Sequence, residues 1–278
     1  MDPGLTMHMW TRAFKLVVLI CAMAAVIGCA TDVPRNPSFD VSVVNGRTIV
    51  RELGAERPRA VRGVVVIGGL YDPLNISTSG LAKRVGGMLD ERDGPLSINV
   101  FGAATTDELR ERVIDRVEAW RASEEPGNTV EVDVVGYSLG AVVARDAAIA
   151  RPGARRLNVR RVFSIVGPHR GAALAELPDF DQRVWAIRAG SAFIGRINET
   201  LWPGEGYELF CYTRLGDSVI GEANAAPPGR SPWWVPTGAL ERQHGDAYKD
   251  PRILADIGLR LAGRDGIGTR PESPLPGN

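Results

Sequence analysis

The stretch Gly136-Tyr137-Ser138-Leu139-Gly140 constrains the fold more than any other, because of what flanks it. Before it runs Val130-Glu131-Val132-Asp133-Val134-Val135, rich in β-branched residues whose stiff side chains suit a strand. After it runs Ala141-Val142-Val143-Ala144-Arg145-Asp146-Ala147-Ala148-Ile149, an alanine-rich segment of helix type. A serine on a sharp strand-to-helix turn is pushed out of the backbone envelope. Glycines two residues to either side let neighbouring chain pass close to that strained turn. A bare Gly-x-Ser-x-Gly arises easily by chance. With a strand before it and a helix after it, the pentapeptide marks Ser138 as a candidate nucleophile.

A serine hydroxyl is a poor nucleophile near neutral pH and needs a base within hydrogen-bond reach. The chain holds three histidines, His8, His169 and His244, and His8 precedes the body of the protein. His169 sits in Gly167-Pro168-His169-Arg170-Gly171, after the strand expected to follow the nucleophile helix. His244 sits in Gln243-His244-Gly245-Asp246, near the C-terminal helix. On residue type alone both remain eligible.

The rest of the body reads as alternating strands and helices. The chain has 278 residues, 44% of them hydrophobic, which suits one sizeable core. Val41-Ser42-Val43-Val44 and Arg47-Thr48-Ile49-Val50 flank Asn45-Gly46, which predicts an opening antiparallel hairpin. Val64-Val65-Val66-Ile67 is wholly apolar, as in the middle of a parallel sheet. A helix is expected over residues 81–89 and a strand over 97–101. Thr105 and Glu108 form a capping box, after which Leu109, Val113, Val117 and Trp120 share one helical face. Further strands are expected over 159–166 and 207–215, with a last one between Val235 and Gln243. Asp250-Pro251 is an N-cap followed by proline, opening a helix that Gly263 ends. This pattern predicts one α/β domain over 39–263, its mostly parallel sheet covered by helices on both faces. The Gly- and Pro-rich residues 264–278 are expected to fray.

These features together resemble the α/β-hydrolase superfamily, and more narrowly bacterial lipases and esterases. The elbow running on into Val142-Val143-Ala144-Arg145 is similar to the lipase elbow and its helix. Pro168-His169-Arg170-Gly171 resembles the Pro-His-x-Gly that lipases carry after their next strand, near the site but outside the triad. The resemblance implies the α/β-hydrolase fold and the chain order Ser…Asp…His. That order selects Ser138 as nucleophile, His244 as base and Asp217, at the end of Tyr212-Thr213-Arg214-Leu215-Gly216-Asp217, as the acid. Asp246 is too close to His244 in sequence to be the favoured partner and reads as a loop or cap residue. The resemblance also implies an oxyanion hole of backbone N–H groups. One donor would be Leu139, after the nucleophile. The other would be Leu70 in Gly68-Gly69-Leu70, where Gly68 stands at the position lipases commonly fill with histidine.

The N-terminus reads as an address. Arg12 and Lys15 precede an uncharged apolar run over 16–30, which describes a secretory signal peptide and is short for a membrane span of about 20 apolar residues. The run ends in Val26-Ile27-Gly28-Cys29, which resembles the lipobox of bacterial lipoproteins. The resemblance implies a signal peptide over 1–28, lipidation of Cys29 and a tether over 29–38; an uncleaved anchor is the alternative. At ~3.5 Å per residue, the nine residues 30–38 reach at most ~32 Å, which holds the domain close to a membrane face. The absence of Asp directly after Cys29 favours the outer membrane, so a lipid-anchored place in the bacterial cell envelope is expected, at the outer membrane or on the periplasmic side.

Lys+Arg and Asp+Glu both number 33, so net charge offers no case for nucleic acid or an anionic membrane surface. Cys21, Cys29 and Cys211 are the only cysteines, so the body cannot form an internal disulfide. Cys211, in Leu209-Phe210-Cys211-Tyr212, reads as a buried structural thiol. No metal cluster and no phosphate-binding glycine loop is legible, and no cofactor is expected. The long connection 170–206, with Val184, Ile187, Phe193, Ile194, Ile197 and Leu201 at helical spacing, suits either a lid over an acyl pocket or ordinary helices packed on the sheet. Pro232-Trp233-Trp234-Val235-Pro236 suits either a pocket rim or core packing. The expected activity is hydrolysis of a small acyl ester or lipid through a Ser138–His244–Asp217 triad and an acyl-enzyme. A thioesterase, an acyltransferase or a non-catalytic envelope lipoprotein on the same scaffold are the alternatives.

Overall fold

Side chains alternate across each strand, and in this protein both faces of the sheet are apolar. Val64 and Val66 of β1 (Gly63–Ile67) join one buried cluster, while Val65 and Ile67 join the other. The computed structural model describes residues 41–177, 181–199, 206–238, 240–268 and 275. By its internal contacts the chain divides into two units, 1–35 and 36–278. The expected signal peptide, Cys29 and the tether lie outside the described residues, as does Leu201.

The six strands β1, β2 (Leu96–Ile98), β3 (Val132–Tyr137), β4 (Val159–Ile165), β5 (Glu208–Arg214) and β6 (Trp233–Val235) form one sheet in the order β2-β1-β3-β4-β5-β6. Every pairing is parallel. One face carries α1 (Val43–Glu56), α2 (Ile76–Gly86) and α7 (Pro251–Leu261). The other carries α3 (Thr106–Trp120), α4 (Leu139–Ala148) and α6 (Ala192–Glu199); short α5 (Gln182–Ala186) precedes α6. This is an α/β-hydrolase-like fold with a fully parallel sheet.

The topology itself points to the site. From β1 the chain steps outward to β2, then returns to place β3 on the other side of β1. At such a switch point the connections leave in opposite directions and open a crevice beyond the strand C-termini. Ser138 follows β3 directly, and Gly68–Gly69–Leu70 follow β1.

The opening hairpin does not form. Residues 43–56 are helix α1, with Ser42 as N-cap accepting from Asn45 N at 3.1 Å. Gly46, expected to supply a turn, instead permits a helix crossing. A Cβ built there would lie 3.0 Å from Arg252 N and from the carbonyl carbon of Pro251, at the start of α7. Val43, Gly46, Val50 and Leu53 share one helical face, and burying it against α7 overrides the β-branched composition.

Two other boundaries moved for identifiable reasons. Helix α2 begins at Ile76, not near Leu81, because Asp72 acts as a distant cap: its carboxylate accepts from the N–H groups of Ile76, Ser77 and Thr78 at 2.7, 3.2 and 2.8 Å. The last strand is Trp233–Val235, confined between Pro232 and Pro236, neither of which can donate to a ladder. Both tryptophans are therefore structural: Trp234 is fully buried and Trp233 packs against the rings of Phe210 and Tyr212. Beyond α7, Arg264 pairs with Glu56 and Gly268 N donates to Asp256 Oδ1 at 2.8 Å, so the first residues after Gly263 are held against the domain.

Candidate active site

Backbone geometry sets Ser138 apart. Its φ of 52° and ψ of −124° place a non-glycine residue in a sparsely populated region, which costs roughly 1–3 kcal/mol and persists only where surrounding structure enforces it. The enforcement is visible. Ser138 N donates to Ile165 O of β4 at 2.9 Å, and both elbow glycines are packed against backbone. A Cβ on Gly140 would lie 2.4 Å from Ile67 O, and one on Gly136 would lie 2.4 Å from Ala141 Cα. No larger residue fits either position, so α4 can run tightly back across β1.

Three side chains converge on this turn. His244 Nε2 lies 3.1 Å from Ser138 Oγ, and His244 Nδ1 lies 2.9 Å from Asp217 Oδ2. Asp217 is buried in a turn after β5, where its other oxygen accepts from Val219 N at 2.9 Å and Ile220 N at 3.1 Å. A carboxylate only accepts, so the Nδ1 proton points at Asp217 and the Nε2 lone pair faces the serine hydroxyl. The loop bearing His244 is fixed from two sides. Tyr137 donates its hydroxyl proton to the His244 carbonyl at 3.1 Å, and Arg214 donates to the Arg242 carbonyl at 3.3 Å. Burial, then the Asp217 charge, push the Tyr137 phenol far above its ordinary value, so it stays a neutral donor.

The expected oxyanion donors lie on the two chain segments next to Ser138. Leu139 is the first residue of α4, where an N–H has no intrahelical acceptor. A Cβ on Gly69 would lie 3.4 Å from Ser138 Cβ, so the loop carrying Leu70 passes directly beside the serine. Gly68 has a steric explanation: a Cβ there would lie 1.8 Å from Thr78 Oγ1, leaving no room for the histidine common in lipases.

His169 belongs to a separate cluster. It is fully buried, with Nε2 at 2.7 Å from Ser164 Oγ and Nδ1 at 2.9 Å from Arg145. Burial, and then the Arg145 charge, hold its pKa well below 6.5. Arg145 also donates to the Ile197 carbonyl and to Asn198 Oδ1 at 3.3 Å, while Asn198 donates to the His169 carbonyl at 2.8 Å. The cluster therefore ties α4, α6 and the turn after β4 together. Arg145 was unassigned from sequence, although a cation amid a run of buried Ala and Val was the available signal.

A cavity of about 540 Å³ opens above Ser138 and His244. Leu70, Pro73 and Leu74 form one side, and Leu174, Val184, Ile187, Val219 and Ile220 another. The connection 170–206 thus does two things. Val184 and Ile187 wall the cavity, while Phe193, Ile194 and Ile197 of α6 are buried in the core. Asp72 also lines it, but its carboxylate is occupied in capping α2, and Thr78 Oγ1 donates to it as well at 2.7 Å. Asp246 accepts from Lys249 at 2.8 Å and from Arg242 N at 3.1 Å, as a loop-bracing residue. Cys211 is buried, its thiol pushed up to about 12 by that burial, which leaves it unreactive. Among the described residues no group of three or more His, Cys, Asp or Glu side chains is placed to hold a metal ion.

No protein-family model matches the chain, and no curated protein matches it in sequence. Among solved structures it is similar to the product of the gene lin2722 from Listeria innocua, at 10% identity and a TM-score of 0.43, covering 70% of this chain and 92% of that one. A likeness at that level carries no argument about activity.

Proposed function

We propose that this protein is a serine hydrolase acting on carboxylic esters, of lipase or esterase type. The observation that carries the reading is the Ser138–His244–Asp217 relay, at 3.1 and 2.9 Å, at the base of a largely apolar cavity. Ser138 Oγ attacks the acyl carbonyl while His244 Nε2 takes its proton. Asp217 keeps the imidazole in the correct tautomer and stabilises its cationic form. The N–H groups of Leu139 and Leu70 receive the oxyanion, a contribution on the order of 10²–10³ in rate for a single donor. His244 then protonates the departing alcohol. Water, deprotonated by the same imidazole, releases the acyl group from Ser138.

The cavity favours an apolar acyl part, because Leu70, Leu74, Leu174, Val184, Ile187 and Ile220 line it. The N-terminal signal and Cys29 motif extend the proposal to a lipid-anchored enzyme of the bacterial envelope. The test is Ser138→Ala in the full chain, assayed with p-nitrophenyl esters and a fluorophosphonate probe. Turnover and labelling should both vanish while the circular dichroism spectrum is unchanged. Retained labelling at any other serine would remove Ser138 from its role.

A further inference from the structure

The loop that carries His244 borders a second cavity, also of about 540 Å³, bounded by α1, the end of α2 and the start of α7. Overall neutrality of the chain conceals a local imbalance there. Each acid on its wall already has a partner: Glu241 with Arg214, Asp246 with Lys249 at 2.8 Å, and Asp250 with Arg252 at 2.7 Å. Three cations on the wall do not. Arg47, Arg51 and Arg84 are exposed and form no ion pair among the described residues, and Arg51 donates to Thr48 Oγ1 at 3.5 Å. Arg47 and Arg51 are four residues apart on one helix, a spacing at which like charges repel. Arg214 is 1% exposed, and its Nε has no hydrogen-bond partner among the described residues.

We propose that this groove binds a phosphate-class anion, a phosphomonoester or phosphodiester, held by Arg47, Arg51 and Arg84 with Arg214 at its base. Guanidinium groups arriving from two helices suit a tetrahedral anion, whose oxygens point in several directions. A lone carboxylate presents one flat edge and matches a single guanidinium. Val43, Val50 and Leu254 line the same groove, so the carbon attached to the phosphate meets apolar surface. Burial pushes the Arg214 guanidinium below its ordinary pKa, and an anion seated beside it would favour its charged form further, in addition to Glu241. The chemistry is shared by free phosphate esters and anionic lipid headgroups.

Calorimetric titration of the full chain tests this without reference to turnover. The probes are inorganic phosphate and dihexanoyl phosphatidylglycerol below its micelle concentration. Wild type should bind at least one of them, and the triple variant Arg47→Gln, Arg51→Gln, Arg84→Gln should bind about tenfold or more weakly. These exposed positions should leave the melting temperature near that of wild type. Lys83→Gln, which removes an exposed charge next to Arg84 but outside the groove, should bind as wild type does. Tighter binding of the lipid than of phosphate identifies a headgroup, and the reverse identifies a soluble phosphate ester. No binding of either probe overturns the proposal. So does equal binding by wild type and triple variant, or an equal loss in Lys83→Gln, which would signify diffuse charge.

Discussion

His244 Nδ1 stands 2.9 Å from Asp217 Oδ2, while the other oxygen of that carboxylate is saturated by two backbone N–H groups. Asp217 therefore cannot rotate away from the imidazole without leaving Val219 N and Ile220 N unpaired. In Asp217→Asn the amide keeps the shape but offers an N–H where an acceptor is needed, which favours the wrong histidine tautomer. We expect kcat on p-nitrophenyl esters to fall by about 10⁴ with KM little changed. A loss below tenfold would show that Asp217 does not serve this base.

The elbow glycines are expected to act on stability before chemistry. Gly140→Ala forces a methyl group to within 2.4 Å of Ile67 O, a backbone atom of a central strand that cannot give way. Overpacking of this kind costs roughly 1–3 kcal/mol. Urea unfolding should show a lowered midpoint at unchanged slope; an unchanged midpoint would mean that α4 and β1 are not in the contact described.

His169 supplies a pH dependence of defined sign. Its folded pKa lies well below 6.5, so near that pH the unfolded chain takes up a proton that the folded chain refuses. Its contribution is complete above about pH 6.5 and is lost as the pH falls below that value, with a slope of at most about 1.4 kcal/mol per pH unit. The charged groups acting on it are Arg145, Arg170 and Arg230. Between pH 7.5 and 5, wild type should lose more stability in urea than His169→Gln. A gap between the two that does not vary with pH would contradict a neutral buried imidazole.

The mouth of the cavity above Ser138 carries Leu74 and Ile76, 78% and 62% exposed. On the proposed ester-hydrolase reading, apolar groups so placed would meet a substrate that extends beyond the cavity. In the double variant Leu74→Ser, Ile76→Ser, activity on emulsified long-chain esters should drop several-fold while hydrolysis of a soluble acetate ester is unchanged. Equal loss on both substrates would assign the pair to local structure.

Signals that act over a few residues were legible from the chain alone. Thr105 Oγ1 caps α3 by accepting from Glu108 N at 3.1 Å, and Asp250 caps α7 ahead of Pro251, both as local hydrogen-bond chemistry requires. The elbow likewise singled out Ser138, and the chain order that the resemblance implies singled out Asp217 and His244; the fold brings the three together across 27 and 106 positions of sequence. Tertiary structure decided the rest, because its causes are distant in sequence. Residues 41–50 carry a strand composition and a turn dipeptide, yet the chain is helical from Val43 because Gly46 lets α1 cross the start of α7. Asp72 reads as one more loop acid until the fold shows it capping α2. The arginines of α1 and α2 are ordinary surface charges in the sequence, and only packing the two helices beside the His244 loop brings them to line one groove. Local hydrogen bonding and apolar periodicity are encoded in neighbouring residues. Close approach and charge balance depend on which segments meet, and that is settled only when the core is buried.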